Sequence, residues 1–344
     1  MKRLRVLVLM HADQVPPGSI EGLSDKDISP WRMEYDVITA LHELGHEVRP
    51  LGLQDELMPA RRAISEWKPH IVFNLIMHFH DVGLYDAHVV SYLELLRQPY
   101  TGCNPRGLLL ANDKALSKKV MAWHRIPVPA FASFRQSRKR KRPARLNFPL
   151  IVKSVGEHAS MGIAQASIVH DDESLRDRVA FIHRTVGTDA IAEEYIKGRE
   201  LTIGVIGNER LTTFPIRELK FESLPEHSEP IQTSKVKWDL DYQKKVGAYT
   251  KPADDLPEEV ARGIAKLAKR VYRALDQSGF ARIDLRMNES GKVFVLEANP
   301  NPDLCLAEDF AQSARDVGLD YRTLVQKILT LGLNFRPLWK KDPG

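Results

Sequence analysis

The sequence predicts an α/β N-terminal domain on a doubly wound parallel sheet, followed by two further segments that mix strands and helices. Two observations carry this. Over the first hundred residues, short apolar runs alternate with amphipathic segments in the order strand, helix, strand, helix, strand, the pattern of parallel crossover units. Further on, strand-like runs follow one another directly and end in a hairpin pattern. The chain has 344 residues, enough for ~2 to 3 domains. With 43% apolar and 28% charged residues, a globally disordered chain is excluded.

Leu4 to Met10 is a continuous valine and leucine run, as in a strand buried on both faces. Ser29-Pro30 offers an N-cap and a proline for a helix whose apolar positions Val37, Ile38, Leu41 and Leu44 recur at helical spacing, with Gly45 as its stop. Glu47 to Leu51 and His70 to Ile76 read as strands, and Ala60 to Trp67 as the helix between them. The second segment opens at Pro99 with a helix over Asp113 to His124, closed by Pro127 and Pro129. Phe131 to Phe134 and Phe148 to Lys153 are strands. The third holds strands at Ala190 to Ile196 and Glu200 to Ile206, an amphipathic helix from Pro257 to Leu275, a hairpin from Phe280 to Glu297 and a helix from Tyr321 to Leu331. These give domains at residues 1–98, 99–188 and 189–335, with a tail at 336–344.

The net charge of +5 is local: Arg135 to Arg145 carries seven basic side chains and no acid, leaving 43 basic against 45 acidic residues elsewhere. This run contains Pro143 and no periodicity, which predicts an exposed loop. A nucleic-acid-binding module through it is the reading from a different functional class, although no aromatic residue lies within it for base stacking. No apolar run reaches the ~18 to 20 residues needed to span a bilayer, and the N-terminal apolar run is too short for a signal peptide. The two cysteines, Cys103 and Cys305, form neither a disulfide framework nor a thiolate zinc motif. A cytoplasmic protein is expected.

The most informative stretch is Phe280 to Met287, the turn Asn288-Glu-Ser-Gly291, and Lys292 to Pro300. Symmetric pairing about a four-residue turn sets Met287 opposite Lys292, Asp284 opposite Val295 and Arg282 opposite Glu297. Asp284 and Glu297 are then diagonal neighbours, roughly 7 to 8 Å apart at the backbone, and Asn299 shares their face. Two carboxylates and an amide oxygen form a hard-oxygen set suited to Mg2+, which fills its remaining positions with water and phosphate. A surface hairpin with an Arg282 to Glu297 pair is the alternative.

Lys153 leaves its strand into a loop with two glycines, Ser154 to Gly162, where an ammonium and backbone N–H groups can surround phosphates. An ordinary turn fits equally. Glu193 to Ile196 ends a strand and Glu200 begins the next, so the edge between them can meet adenine and Glu200 can accept ribose hydroxyls; solvated glutamates on a surface turn are the other reading.

Taken in order, Pro99-Tyr-Thr-Gly102, Asn112-Asp-Lys114, Phe148 to Lys153, Glu193 to Glu200, Lys237-Trp238, Arg282-Ile-Asp284 and Leu296-Glu-Ala-Asn-Pro-Asn-Pro302 resemble the ATP-grasp enzymes, and among them the D-alanine-D-alanine ligase group. The resemblance spans nearly the whole chain. It implies an ATP-grasp fold with an N-terminal doubly wound parallel-sheet domain, and an ATP-dependent carboxylate-amine ligase that joins small amino acids through an acyl phosphate. Lys114 and Lys153 then match phosphate-holding lysines, Glu193 and Ile196 the adenine hinge, and Glu200 the ribose acceptor. Ser160, Met161, Gly162 and Leu296 complete the implied nucleotide contacts. Asp284, Glu297 and Asn299 match the ligands of magnesium, two ions by the family pattern, with manganese able to substitute. Arg282 matches the arginine that stabilises a developing oxyanion, and Lys237 a substrate- or phosphate-contacting lysine. A homodimer is compatible with the resemblance.

The departures fall on the amino-acid side. His158-Ala159 replaces the glycine-serine pair usual in the phosphate loop, Tyr85-Asp86-Ala87 replaces a Glu-Asp-Gly, and the glycine usual near the oxyanion site is replaced in Asn301-Pro302-Asp303. No residue matches the glutamate that receives the first amino group; Glu34 lies near but within the helix pattern. A ligase that adds an amino acid to a peptide or another larger acid is therefore the alternative enzyme. His78, His80 and His88 invite a zinc reading; His80 falls near a substrate-side histidine of the family, and a helix-cap or loop role is the other reading.

Overall fold

The computed structural model describes residues 3–138, 141–156 and 162–340. The N-terminal sheet contains β1 (Arg5–His11), β2 (Glu47–Leu53) and β3 (Ile71–Asn74), all parallel, in the order β2-β1-β3. The parallel sheet read from the sequence is present, and β1 is central because Val6 to Met10 are fully buried. The first helix differs from expectation. Ser24 and Asp27 form a reciprocal capping box on a short helix, Asp25–Ile28, and Ser29–Trp31 is a 3-10 turn. The long helix begins at Arg32 and Ser29 does not cap it. The reciprocal pair satisfies two orphan N–H groups earlier in the chain than a lone Ser29 would.

The second sheet is antiparallel, order β4-β7-β5-β6, formed by β4 (Phe131–Phe134), β5 (Leu150–Ser154), β6 (Ile168–Val169) and β7 (Ala190–Glu194). The third contains β8 (Arg199–Ile206), β9 (Thr212–Phe221), β10 (Ala248–Pro252), β11 (Phe280–Met287) and β12 (Val293–Pro300), order β10-β9-β8-β11-β12. The sequence reading assigned no strand at β9 or β10. Pro215 interrupts β9, and the β8 to β9 register shifts beside it, between Ile203 and Val205; prolines inside sheets collect at such irregularities.

The helix Glu258–Ala274 lays Ile264, Ala268, Val271 and Tyr272 on the third sheet. Val6, Val8 and Phe73 share one core with Phe214, Phe280, Phe310 and Ile328, so the first sheet and the last lobe bury apolar surface against each other. Within the basic run, whose residues 139 and 140 lie outside the described residues, Arg142 is tied down locally. Arg142 Nε donates to Asp172 Oδ1 at 2.9 Å, and the guanidinium lies 4.5 Å from the Phe148 ring centroid. Those contacts are structural and do not favour a nucleic-acid surface. Among the described residues no helix is long and apolar enough to cross a membrane.

Candidate active site

The cleft lies between the second and third sheets and is open to solvent. One end is apolar, with Ile151, Ile163, Tyr195, Ile231 and Leu296; the other is ionic, with Lys114, Lys153, Asp284 and Glu297. Such a division suits a ligand with a flat apolar head and an anionic tail.

The ionic end is set by a correction to the expected hairpin. Met287 pairs with Val293, because the turn holds five residues, and the register shifts again between Asp284 and Leu285. Leu285 opposes Val295, whereas Asp284 opposes Glu297 and Arg282 opposes Asn299. Leu296 is the extra residue of a β-bulge. In a regular strand Val295 and Glu297 would share a face. The bulge separates them, so that Val295 is fully buried in the core while Glu297 enters the cleft. Asp284 and Glu297 are thus directly opposed rather than diagonal. Asn299 Nδ2 donates to Asp284 Oδ2 at 2.8 Å and to Glu297 Oε1 at 3.4 Å, so the three expected ligands do meet.

Cations already compensate these acids. Arg282 donates to both oxygens of Asp284, at 2.7 and 2.9 Å, and Lys114 Nζ stands 3.8 Å from Glu297 Oε2. Burial nevertheless raises the Asp284 carboxyl against the pull of Arg282, and neighbouring Glu297 adds to the rise. A set of oxygens this costly to keep charged, with guanidinium and ammonium groups beside it, has the chemistry of a cation site.

Lys114 and Lys118 lie one turn apart on the helix Lys114–Trp123, whose N-cap Asp113 accepts from the amides of Ala115 and Leu116. Lys118 was missed in the sequence. It is fully buried, donates to the Leu296 carbonyl at 2.6 Å and approaches Glu193 Oε2 at 3.3 Å. Lys153 Nζ reaches the same oxygen at 3.4 Å. Glu193 is therefore the shared counter-ion of two lysines, with Oε1 lacking a hydrogen bond. Burial lowers the Lys118 ammonium despite Glu193. At Lys153 burial acts the same way, but Glu193 and Glu297 outweigh it and the ammonium is raised.

Arg286 was also missed, although alternation along β11 sets it on the face of Arg282 and Asp284. It donates to Glu200 Oε2 at 2.7 Å, to the Pro230 carbonyl at 2.6 Å, and to the carbonyls of Ile196 and Gly198 at 3.3 Å each. It fixes the segment joining β7 to β8. Gly198 in that segment has φ +140°, and a Cβ there would stand 2.1 Å from the Met287 carbonyl oxygen, so the close approach to β11 requires glycine.

Glu193, Ile196, Glu200 and Leu296 line the cleft with Lys114, Lys153, Asp284 and Glu297. Gly162 is not among the lining residues; its carbonyl accepts from Arg178, and the next residue, Ile163, takes the lining position. Ser160, Met161 and His158-Ala159 lie outside the described residues. Lys237, in the helix Ser234–Trp238, is not among the lining residues, and the charges acting on it are those of Arg282, Glu308, Asp303 and Asp284.

Three antiparallel or parallel sheets in this order, with the cleft between the second and third, define an ATP-grasp protein, and superposition on solved structures agrees. The chain aligns with D-alanine--D-alanine ligase from Bacillus anthracis complexed with ATP at a TM-score of 0.74 and 23% identity, covering 96% of this chain and 97% of that one. It aligns with the VanG D-Ala:D-Ser ligase from Enterococcus faecalis at 0.68 and 20%, covering 96% and 100%. The family model for the D-ala D-ala ligase C-terminus matches residues 120–330. An uncharacterized protein, y4sG, of Sinorhizobium fredii is 31% identical over 312 residues, 87% of this chain and 88% of that protein. A D-alanine--D-alanine ligase of Desulforudis audaxviator is 30% identical over 313 residues, 90% and 95% of the two chains. The chain belongs to the D-alanine-D-alanine ligase family, and is an ATP-dependent carboxylate-amine ligase.

Proposed function

We propose that the cleft binds ATP with its adenine between Ile151, Tyr195, Ile231 and Leu296 and its phosphates beside Lys114 and Lys153, and that the enzyme joins the carboxylate of one small amino acid to the amine of another. Support comes from one observation above all: Asp284 directly opposes Glu297, with Asn299 bridging them, in the cleft that Lys114 and Lys153 line. Asp284, Glu297 and Asn299 would hold magnesium. What magnesium supplies when bound there is neutralisation of the charge that builds in phosphoryl transfer. Arg286 orients Glu200 toward the ribose end. Arg282, half-buried and raised by Asp284 against the cost of burial, is a permanent cation whose charge also acts on Lys237, suited to the negative oxygen that develops at an attacked carbonyl.

The substrate carboxylate attacks the γ-phosphorus of ATP, giving an acyl phosphate and ADP; the amine attacks its carbonyl carbon, the C–N bond forms, and inorganic phosphate leaves with loss of a proton from nitrogen. Cytoplasmic ATP and the free thiols of Cys103 and Cys305 suit a reducing compartment. The test is ADP and phosphate release with ATP, Mg2+ and paired D- and L-amino acids, with product masses read directly. ADP at background for every pair would count against the reading.

A further inference from the structure

At the carboxyl ends of the first sheet, three metal-ligating side chains meet. His11 is the last residue of β1, and His78 and Asp81 follow β3. One donor atom from each lies within 4.8 Å of the other two. The sheet order β2-β1-β3 reverses between β1 and β3, so His11 and His78 stand at its switch point. In open parallel sheets, ligands bind in the crevice at that point.

Local structure places each side chain. His11 is buried and accepts from the Asp13 amide through Nδ1 at 3.3 Å, with the Asp13 carboxylate 3.7 Å from the same nitrogen. Anchors of this kind orient a ligating imidazole. The His78 ring centroid lies 4.4 Å from that of His11, and its buried Nδ1 has no hydrogen-bond partner among the described residues. A buried ring nitrogen left in that condition costs free energy, which a cation on its lone pair offsets. Phe79 and Val82 exchange backbone hydrogen bonds at 3.2 and 3.0 Å, making His80 and Asp81 the central pair of a tight turn. Both hold left-handed backbone, φ +52° and +58°, and the turn returns Asp81 to within reach of His78. Of the three histidines that invite a zinc reading in the sequence, only His78 joins this group. His80 packs edge-on against Phe79, and His88 lies against Tyr85.

We propose that His11, His78 and Asp81 bind one divalent transition-metal ion of the zinc class, with a coordination position left to water. Two imidazoles and a carboxylate suit zinc and its transition-metal neighbours, whereas magnesium takes oxygens. Ligands at 2.0 to 2.1 Å around one zinc stand roughly 3.4 Å apart. Rotation of the exposed Asp81 side chain closes the set from its present spacing. This site is separate from the nucleotide chemistry, because none of the three residues lines the cleft.

Calorimetry of the full chain with Zn2+, in buffer holding excess Mg2+, should show one ion bound per chain. His11→Gln, His78→Gln and Asp81→Asn should each weaken that binding about tenfold or more, whereas His80→Gln and His88→Gln leave it unchanged. Co2+ used in place of Zn2+ should give the visible absorption of a low-coordinate ion, lost in the same three variants. Melting temperatures of the metal-free proteins check the fold. Asp81→Asn is exposed and suited to left-handed backbone, so it carries the test even where a histidine variant fails to fold. No Zn2+ binding in the presence of Mg2+, or binding that all three substitutions leave intact, would overturn the proposal. Zn2+ binding lost with Asp284→Asn and kept with His78→Gln would place the ion in the nucleotide cleft and overturn it as well. The readout is binding alone, so a failure of ligase turnover with every substrate pair leaves this result standing.

Discussion

Lys118 donates to the carbonyl oxygen of Leu296 at 2.6 Å, and through that bond a buried ammonium holds the one bulged residue that lets Glu297 leave the core for the cleft. The same ammonium is paired with Glu193, so a single side chain connects the hairpin to the second sheet.

Lys118→Met should therefore destabilise the protein by about 3 kcal/mol, the cost of breaking a buried pair and leaving a carboxylate under-compensated. Glu193 retains Lys153, which limits the loss. Denaturant titration measures it; a change of only a few tenths of a kcal/mol would show that the pair contributes little.

Asp284→Asn and Glu297→Gln should each lower kcat about a thousandfold, roughly 4 kcal/mol of barrier, if these oxygens hold the metal. Glu297→Gln should leave the melting temperature near the parent value, whereas Asp284→Asn, which breaks the bidentate pair with Arg282, should lower it. Undiminished turnover in either variant would remove that residue from the metal set.

Arg286→Met removes the donor shared by Glu200 and the segment between β7 and β8. Each such charged hydrogen bond is worth roughly 1.5 to 3 kcal/mol, so the Kd for ATP should rise about tenfold or more, measured by calorimetry, with a smaller effect on amino-acid KM. An ATP affinity within twofold of the parent, taken as roughly the error of the measurement, would leave Arg286 a purely structural residue.

Burial raises the Glu34 carboxyl from 4.5 to about 8, and the charges of Asp303 and Asp36 add to the rise. Between those values the folded chain binds a proton that the unfolded chain has released, so stability falls as pH rises through this window and the penalty is complete above pH 8. Glu34→Gln should flatten this slope and stabilise the protein at high pH by an amount on the order of a few kcal/mol. Parallel stability curves for the two proteins would show that Glu34 does not titrate in this way.

Much of this architecture could be read from residues alone because it is local. The valine and leucine run at β1 is buried on both sides, and alternation along β11 and β12 set Asp284, Glu297 and Asn299 on one face before any coordinates. What escaped is non-local or irregular. A bulge at Leu296 and a five-residue turn are two offsets of one residue each, and each reverses which face a side chain takes; together they restore the parity that simple pairing assumed. Lys118 and Arg286 carried no local signal, because their partners, Glu193 and Glu200, are distant in sequence. Glu34 and Asp303, whose charges act on each other, come from opposite ends of the chain.

Arg282, Asp284 and Arg286 follow one another at every second position of β11, roughly 7 Å per step; Arg282 holds Asp284, Asp284 opposes Glu297, and Arg286 fixes the segment beside the apolar slot. One strand thereby works as a ruler for the whole cleft. The distance between the two reacting ends is inherited from backbone pitch, so drift in any individual side chain leaves it intact, whereas slippage of this strand against β8 would shift every reactive position together.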